Sequence, residues 1–129
     1  MDEDIKYWLE ISSYDLETAG AMLQSARYLY VLFMCQQALE KILKGFITSY
    51  SGEFPPKIHN LVRLLQAANL DKDFNEEDKK FFEKLSYYYM ETRYPEKRAE
   101  LSKEINNKIA KEYFERTKLI WEALQKKLV

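Results

Sequence analysis

The sequence predicts an all-α fold, an antiparallel up-down four-helix bundle with one short extra helix. Apolar residues recur every three or four positions along nearly the whole chain, the period of a helix face and not of a strand. Only 3 Gly and 3 Pro occur in 129 residues, too few turn formers for a sandwich, barrel or propeller. Short connections between the periodic segments favour antiparallel neighbours. The apolar repeat does not keep strict heptads, so a globular bundle is expected and not an extended coiled coil.

In the first segment Ile5, Leu9, Ser12, Leu16, Ala19 and Leu23 share a face, with Trp8 beside them and Asp2 or Asp4 as the N-cap. A turn near Ser25-Ala26 leads to the second segment, about Arg27 to Tyr50. Its broad stripe is Tyr28, Val31, Leu32, Cys35, Leu39, Ile42, Leu43, Phe46 and Tyr50, and at about 1.5 Å per residue it would span roughly 36 Å. The adjacent Pro55 and Pro56 remove two donors and force the helix to end before them. A short helix follows from His59 to Ala68, with Leu61, Leu64, Leu65 and Ala68 inward and Asn69 as its terminator. Residues 70–74 read as a loop. Asn75-Glu-Glu-Asp78 resembles a capping box and opens a helix with Phe81, Phe82, Leu85, Tyr88 and Tyr89 inward. That helix fades at Arg93-Tyr94-Pro95. The last helix is expected from about Glu96 to Leu128, with Leu101, Ile105, Ile109, Tyr113, Ile120, Trp121, Leu124 and Leu128 inward.

The length suits one domain over residues 1–129. Hydrophobic residues are 47% and charged residues 32%, a soluble balance that excludes a disordered or collagen-like chain. With 20 Lys and Arg against 21 Asp and Glu the net charge is -1, which argues against non-specific nucleic-acid binding and leaves room for a local basic patch. One Cys and one His exclude a disulfide framework and a multi-ligand Cys/His metal site, so no metal and no cofactor are expected. The acidic opening MDEDIKYW lacks the pattern of a signal peptide, and no window is apolar enough to span a membrane. Together with the reduced thiol, this reads as a cytoplasmic protein. Tyr, present 10 times, suits wet interfaces as well as core edges.

No phosphate-binding Gly-rich loop or G-x-S-x-G elbow is present, and Cys35 lies on an apolar stripe, where a thiol is inert. Three constellations can carry chemistry. Gln37, Lys41, Lys44 and Thr48 share one face of the second helix, and Glu40 to Lys44 is an ion pair in the favourable i,i+4 orientation. This is either a solvated helix face or a cationic strip able to meet phosphates. His59, expected at a helix N-terminus, is either a structural hydrogen-bonding group or part of an anion site. Arg93-Tyr94-Pro95 either caps one helix and opens the next or presents a cation. Tyr87, Tyr88 and Tyr89 cannot all point inward, so at least one is exposed or sits in an interface.

Phe33-Met-Cys-Gln-Gln-Ala-Leu-Glu-Lys-Ile-Leu-Lys-Gly-Phe46, then Pro56-Lys-Ile-His-Asn-Leu61 and Arg93-Tyr94-Pro95, resemble the prokaryotic HEPN domains. Tyr7-Trp8 and Tyr14-Asp-Leu-Glu-Thr-Ala19 fit the same pattern, so the likeness spans almost the whole chain. The resemblance implies an all-α bundle, usually a homodimer, that binds nucleotides or RNA. It also implies a partner, a minimal nucleotidyltransferase, in a toxin–antitoxin or related two-component system. Carried over by position, it makes Gln37, Glu40, Lys41, Lys44, His59, Arg93 and Tyr94 the candidates for nucleotide or partner contact. Ribonuclease-active members carry Arg-x(4–6)-His. Here Arg98, Ala99 and Glu100 stand where that His belongs, and the sole His59 precedes Arg93. A proton-transfer group is therefore missing at the required place, and metal-independent RNA cleavage is not expected.

Overall fold

The computed structural model describes residues 2–129, and its ordered elements are all helical. They are α1 (Glu3–Gln24), α2 (Tyr28–Ser51), α3 (Leu61–Ala67), a 3-10 turn (Asp71–Asp73), α4 (Glu76–Thr92), α5 (Pro95–Glu104) and α6 (Asn107–Leu128). The helical bundle read from the sequence is thus present. No described helix is long and apolar enough to cross a membrane.

Helix boundaries follow local chemistry. Asp2 caps α1 by accepting the Asp4 N–H at 2.7 Å, and Asn75 and Asp78 form the reciprocal capping box of α4. The turn after α1 places Ala26 at φ 61°, with Arg27 N–H donating to the Met22 carbonyl, a left-handed C-terminal closure without glycine. Asn69, at φ 59°, closes α3 in the same way. Gly52 ends α2 at φ 73° and donates to the Thr48 carbonyl.

α2 packs against every other α-helix. This explains why 14 of its 24 residues are buried, including Leu32, Leu39, Ile42 and Leu43 at full burial. Gly45 lets α1 and α6 approach it: a Cβ there would meet Leu128 at 3.3 Å and Trp8 at 3.4 Å. A buried polar relay ties three helices together, with Trp121 Nε1 donating to Ser12 Oγ and Ser12 Oγ donating to the Ala38 carbonyl.

Three details differ from the sequence reading. The last helix is divided, because Ile105 is extended and Asn106 caps a new helix by accepting the Ile109 N–H. Leu101, Ile105 and Ile109 keep their spacing across the break, and Ile105 stays buried, so apolar periodicity alone could not reveal it. The short helix starts at Leu61 and not at His59, since Asn60 takes the cap by accepting the Arg63 N–H. Tyr50 is 70% exposed although it continues the stripe of α2, because Ile47 and Thr48 carry the buried face near the end of that helix.

Candidate functional site

The middle of α2 carries a polar row, Gln36, Glu40 and Lys44, at i,i+4 spacing inside an otherwise apolar helix. All three are buried, with Glu40 at 2% exposure. A carboxylate in that position is tolerable only with several donors around it, and Glu40 has them. Its Oε2 accepts from Lys44 Nζ at 3.0 Å. Its Oε1 accepts from Gln36 Nε2 at 3.0 Å and faces His59 Nδ1 at 2.9 Å. Gln36 Nε2 also donates to the His59 carbonyl at 2.7 Å, so α2 holds both the backbone and the side chain of His59 in the connector between α2 and α3, residues 52–60. Burial pushes the Glu40 carboxyl up, but the donors from Gln36, His59 and Lys44 outweigh it and hold the group below the usual carboxylate range.

Because an ionised carboxylate only accepts, the Glu40 contact makes His59 Nδ1 the N–H nitrogen and leaves Nε2 available to a ligand. The His59 side chain is 39% exposed, against 2% for Glu40, so the pair runs from the core to the surface. His59 borders a cleft of about 490 Å³ shared with Lys57, Arg63, Ser86, Tyr87 and Met90. One carboxylate, Glu83, lines the cleft as well.

Tyr89 of α4 joins His59 to Arg93. The His59 ring lies 5.2 Å from the Tyr89 ring, and the Arg93 guanidinium carbon lies 5.4 Å from the same ring. Burial raises the Tyr89 hydroxyl above its ordinary value and the Glu40 charge adds to this, against opposition from Arg93 and Gln37. Arg93 is exposed and makes no ion pair among the described residues. Its backbone N–H closes α4 on the Glu91 carbonyl, but its side chain stays on the tyrosine face.

The polar face of α2 is therefore buried at Lys44 and Thr48 and only partly exposed at Gln37 and Lys41, and its cations are already paired. Lys44 is buried on Glu40, with its Nζ 5.9 Å from the Trp8 ring centre. Lys41 meets Asp15 of α1 and Gln37 Oε1, each at 3.2 Å. Gln37 donates to Gln36 Oε1 at 2.7 Å. Thr48 is buried and donates to the Lys44 carbonyl. Gln37, Lys41, Lys44, His59 and Arg93 thus belong to one neighbourhood centred on Glu40 and Tyr89. Tyr94, half exposed, lies next to it as the N-cap residue of α5.

Sequence reasoning missed Gln36 and Tyr89. The signal for Gln36 was the polar row itself, which interrupts an apolar helix at i,i+4 spacing. Nothing local marks Tyr89 out from Tyr87 and Tyr88; only the packing of α4 on α2 selects it. The cations Lys57 and Arg63 were not singled out either. No set of three or more His, Cys, Asp or Glu side chains among the described residues could hold a metal ion. The Cys35 thiol, fully buried, is pushed up to about 12 by that burial and is chemically silent.

The family description that matches this chain is the HEPN domain, over residues 5–128. In overall fold the chain is similar to the crystal structure of TT1696 from Thermus thermophilus, with a TM-score of 0.81. The superposition covers 98% of this chain and 99% of that one at 24% identity, a likeness of fold. No curated protein matches the sequence.

Proposed function

The chain belongs to the HEPN family, and from that premise we propose that it is a HEPN-type module, one helical domain over residues 1–129, that binds the phosphate of a nucleotide or RNA. The observation that carries this reading is the meeting of His59 and Arg93 on Tyr89, with neither the imidazole Nε2 nor the guanidinium committed to a carboxylate. Arg offers a planar fork to phosphate oxygens, and the adjacent half-exposed Tyr94 offers a ring for a base to stack on. Lys57 and Arg63 extend the positive lining into the cleft beyond His59. Gln37 and Lys44 contribute by holding the frame: they fix Glu40, which fixes His59, while Lys41 is spent on Asp15 and Gln37. In this reading the module is a homodimer and the partner of a minimal nucleotidyltransferase in a toxin–antitoxin or related two-component system. The exposed Tyr87 and Tyr94 supply surface for either contact.

A second reading, cleavage of RNA without a metal, gains from the same juxtaposition. The chain lacks Arg-x(4–6)-His, yet the fold carries its sole His to the ring that Arg93 covers. A calorimetric titration with nucleotides, run beside incubation of the pure protein with RNA, separates the two. Binding that is lost in Arg93→Ala with RNA left intact supports the module; degradation lost in both Arg93→Ala and His59→Ala supports the enzyme. No binding and no degradation would remove both readings. Co-expression with an encoded neighbouring nucleotidyltransferase tests the partner: failure to form a complex would remove that part alone.

A further inference from the structure

At the other end of the connector, the start of α1 lies beside the end of α2. There Asp4, Tyr7, Trp8, Thr48, Glu53 and Phe54 wall a pocket of about 380 Å³. Trp8 is the hinge of its aromatic wall, with Tyr7 at 5.5 Å and 71° and Phe54 at 5.9 Å and 60°. These rings meet edge to face and are not stacked on one another. Phe54 is 77% exposed and Tyr7 56%, so neither is spent on the core.

The charged residues that line this pocket have one sign. Asp4 and Glu53 line it, and neither is ion-paired among the described residues. No Lys, Arg or His lines it. The last turn of α2 carries no basic side chain, so the negative end of a 24-residue helix is left without a cation beside Gly52. Asp4 has a second use, since an acid in the first turn of α1 suits that helix; Glu53 has none. Lys44 Nζ stands 5.9 Å from the Trp8 ring, but its charge is taken by Glu40 at 3.0 Å.

We infer that this pocket is a cation site, built to receive an arginine or lysine side chain from a basic segment of a partner protein. Aromatic rings, free carboxylates and a helix C-terminus each attract a cation, and here all three line one concavity. Two of its aromatic walls face solvent, Phe54 at 77% and Tyr7 at 56% exposure. A small free cation would keep much of its hydration there, whereas a peptide brings flanking backbone to cover the exposed rings of Tyr7 and Phe54. This surface is lined by different residues from the His59 cleft and does not depend on the phosphate-binding reading.

The test is fluorescence anisotropy of a labelled Arg-Gly repeat peptide against the whole chain at low salt, beside the citrulline version of the peptide. Phe54→Ala and Glu53→Gln change exposed side chains, and a thermal melt of each variant checks that it folds. The arginine peptide is expected to bind and the citrulline peptide to fail. Phe54→Ala should weaken binding about five- to tenfold, and Glu53→Gln about threefold. Unlabelled tetramethylammonium should not displace the peptide at equal concentration. Absence of binding at about 1 mM peptide, equal binding of the citrulline peptide, or unchanged affinity in both variants would overturn the proposal. Displacement by tetramethylammonium at equal concentration would overturn it as well, by assigning the site to a free organic cation.

Discussion

At Glu40 a single carboxylate organises side chains from α2 and from the connector before α3, and its removal should be felt in both stability and site geometry. Glu40→Ala leaves Lys44 buried without its partner, which costs about 3–5 kcal/mol for a pair of this kind, measurable by urea denaturation. Its titration has a defined sign. The carboxyl titrates lower in the folded chain than in the unfolded one, so its contribution is whole above the unfolded value of about 4.3 and is lost as pH falls through the folded value. Denaturation midpoints measured from pH 6 downward should therefore fall through the acid range, and Glu40→Gln should flatten that fall. Cys35 offers the opposite case. With its thiol pushed up to about 12 by full burial, the native protein should resist alkylation at pH 8, and rapid labelling without unfolding would contradict the packing of α2 against α6. Both residues illustrate what single positions disclose in a sequence. The burial of Cys35 was legible from its apolar neighbours, whereas Glu40 read as half of a surface pair, because helix spacing shows which residues share a face and not what covers it.

Among the elements, caps and turns were easier to read than helix ends set by packing. Asp2, Asn75 with Asp78, and Pro95 fulfil their expected roles because those signals are local. The division between α5 and α6 escaped notice because an Asn cap inside an unbroken apolar period carries little weight by itself. Its energetic role is testable: Asn106→Ala should destabilise by about 1 kcal/mol, and an unchanged thermal midpoint would mean that the two helices are held apart by packing alone. Ala26 makes a prediction of opposite sign. A left-handed conformation costs a non-glycine residue roughly 1 kcal/mol, so Ala26→Gly should stabilise the α1–α2 turn by about that much. In the middle of α2, Ile42→Ala should cost about 2–5 kcal/mol through the cavity it opens. Lys41→Ala, on a partly exposed ion pair with Asp15, should cost no more than about 1 kcal/mol.

For the molecule as a whole, the bundle was legible because helical period, scarce turn formers and short connections agree with one another. The candidate site was legible in part. The similarity to HEPN domains picked out Gln37, Glu40, Lys41, Lys44, His59, Arg93 and Tyr94, but it could not say which of them face a ligand. Folding sorts them: Lys41 and Lys44 spend their charge on Asp15 and Glu40, while His59 and Arg93 reach the surface on either contact of Tyr89. That division of labour is the centre of the account. It is tested most directly by thermal melts of the wild type, Arg93→Ala and Lys41→Ala with and without a panel of nucleotides and short RNAs. A ligand at about a hundredfold its Kd should stabilise the wild type by about 2.7 kcal/mol, a shift of several degrees for a chain of this size. The shift should vanish in Arg93→Ala and persist in Lys41→Ala. A shift that survives in Arg93→Ala and disappears in Lys41→Ala would place the ligand on the α1–α2 face and contradict the site described here.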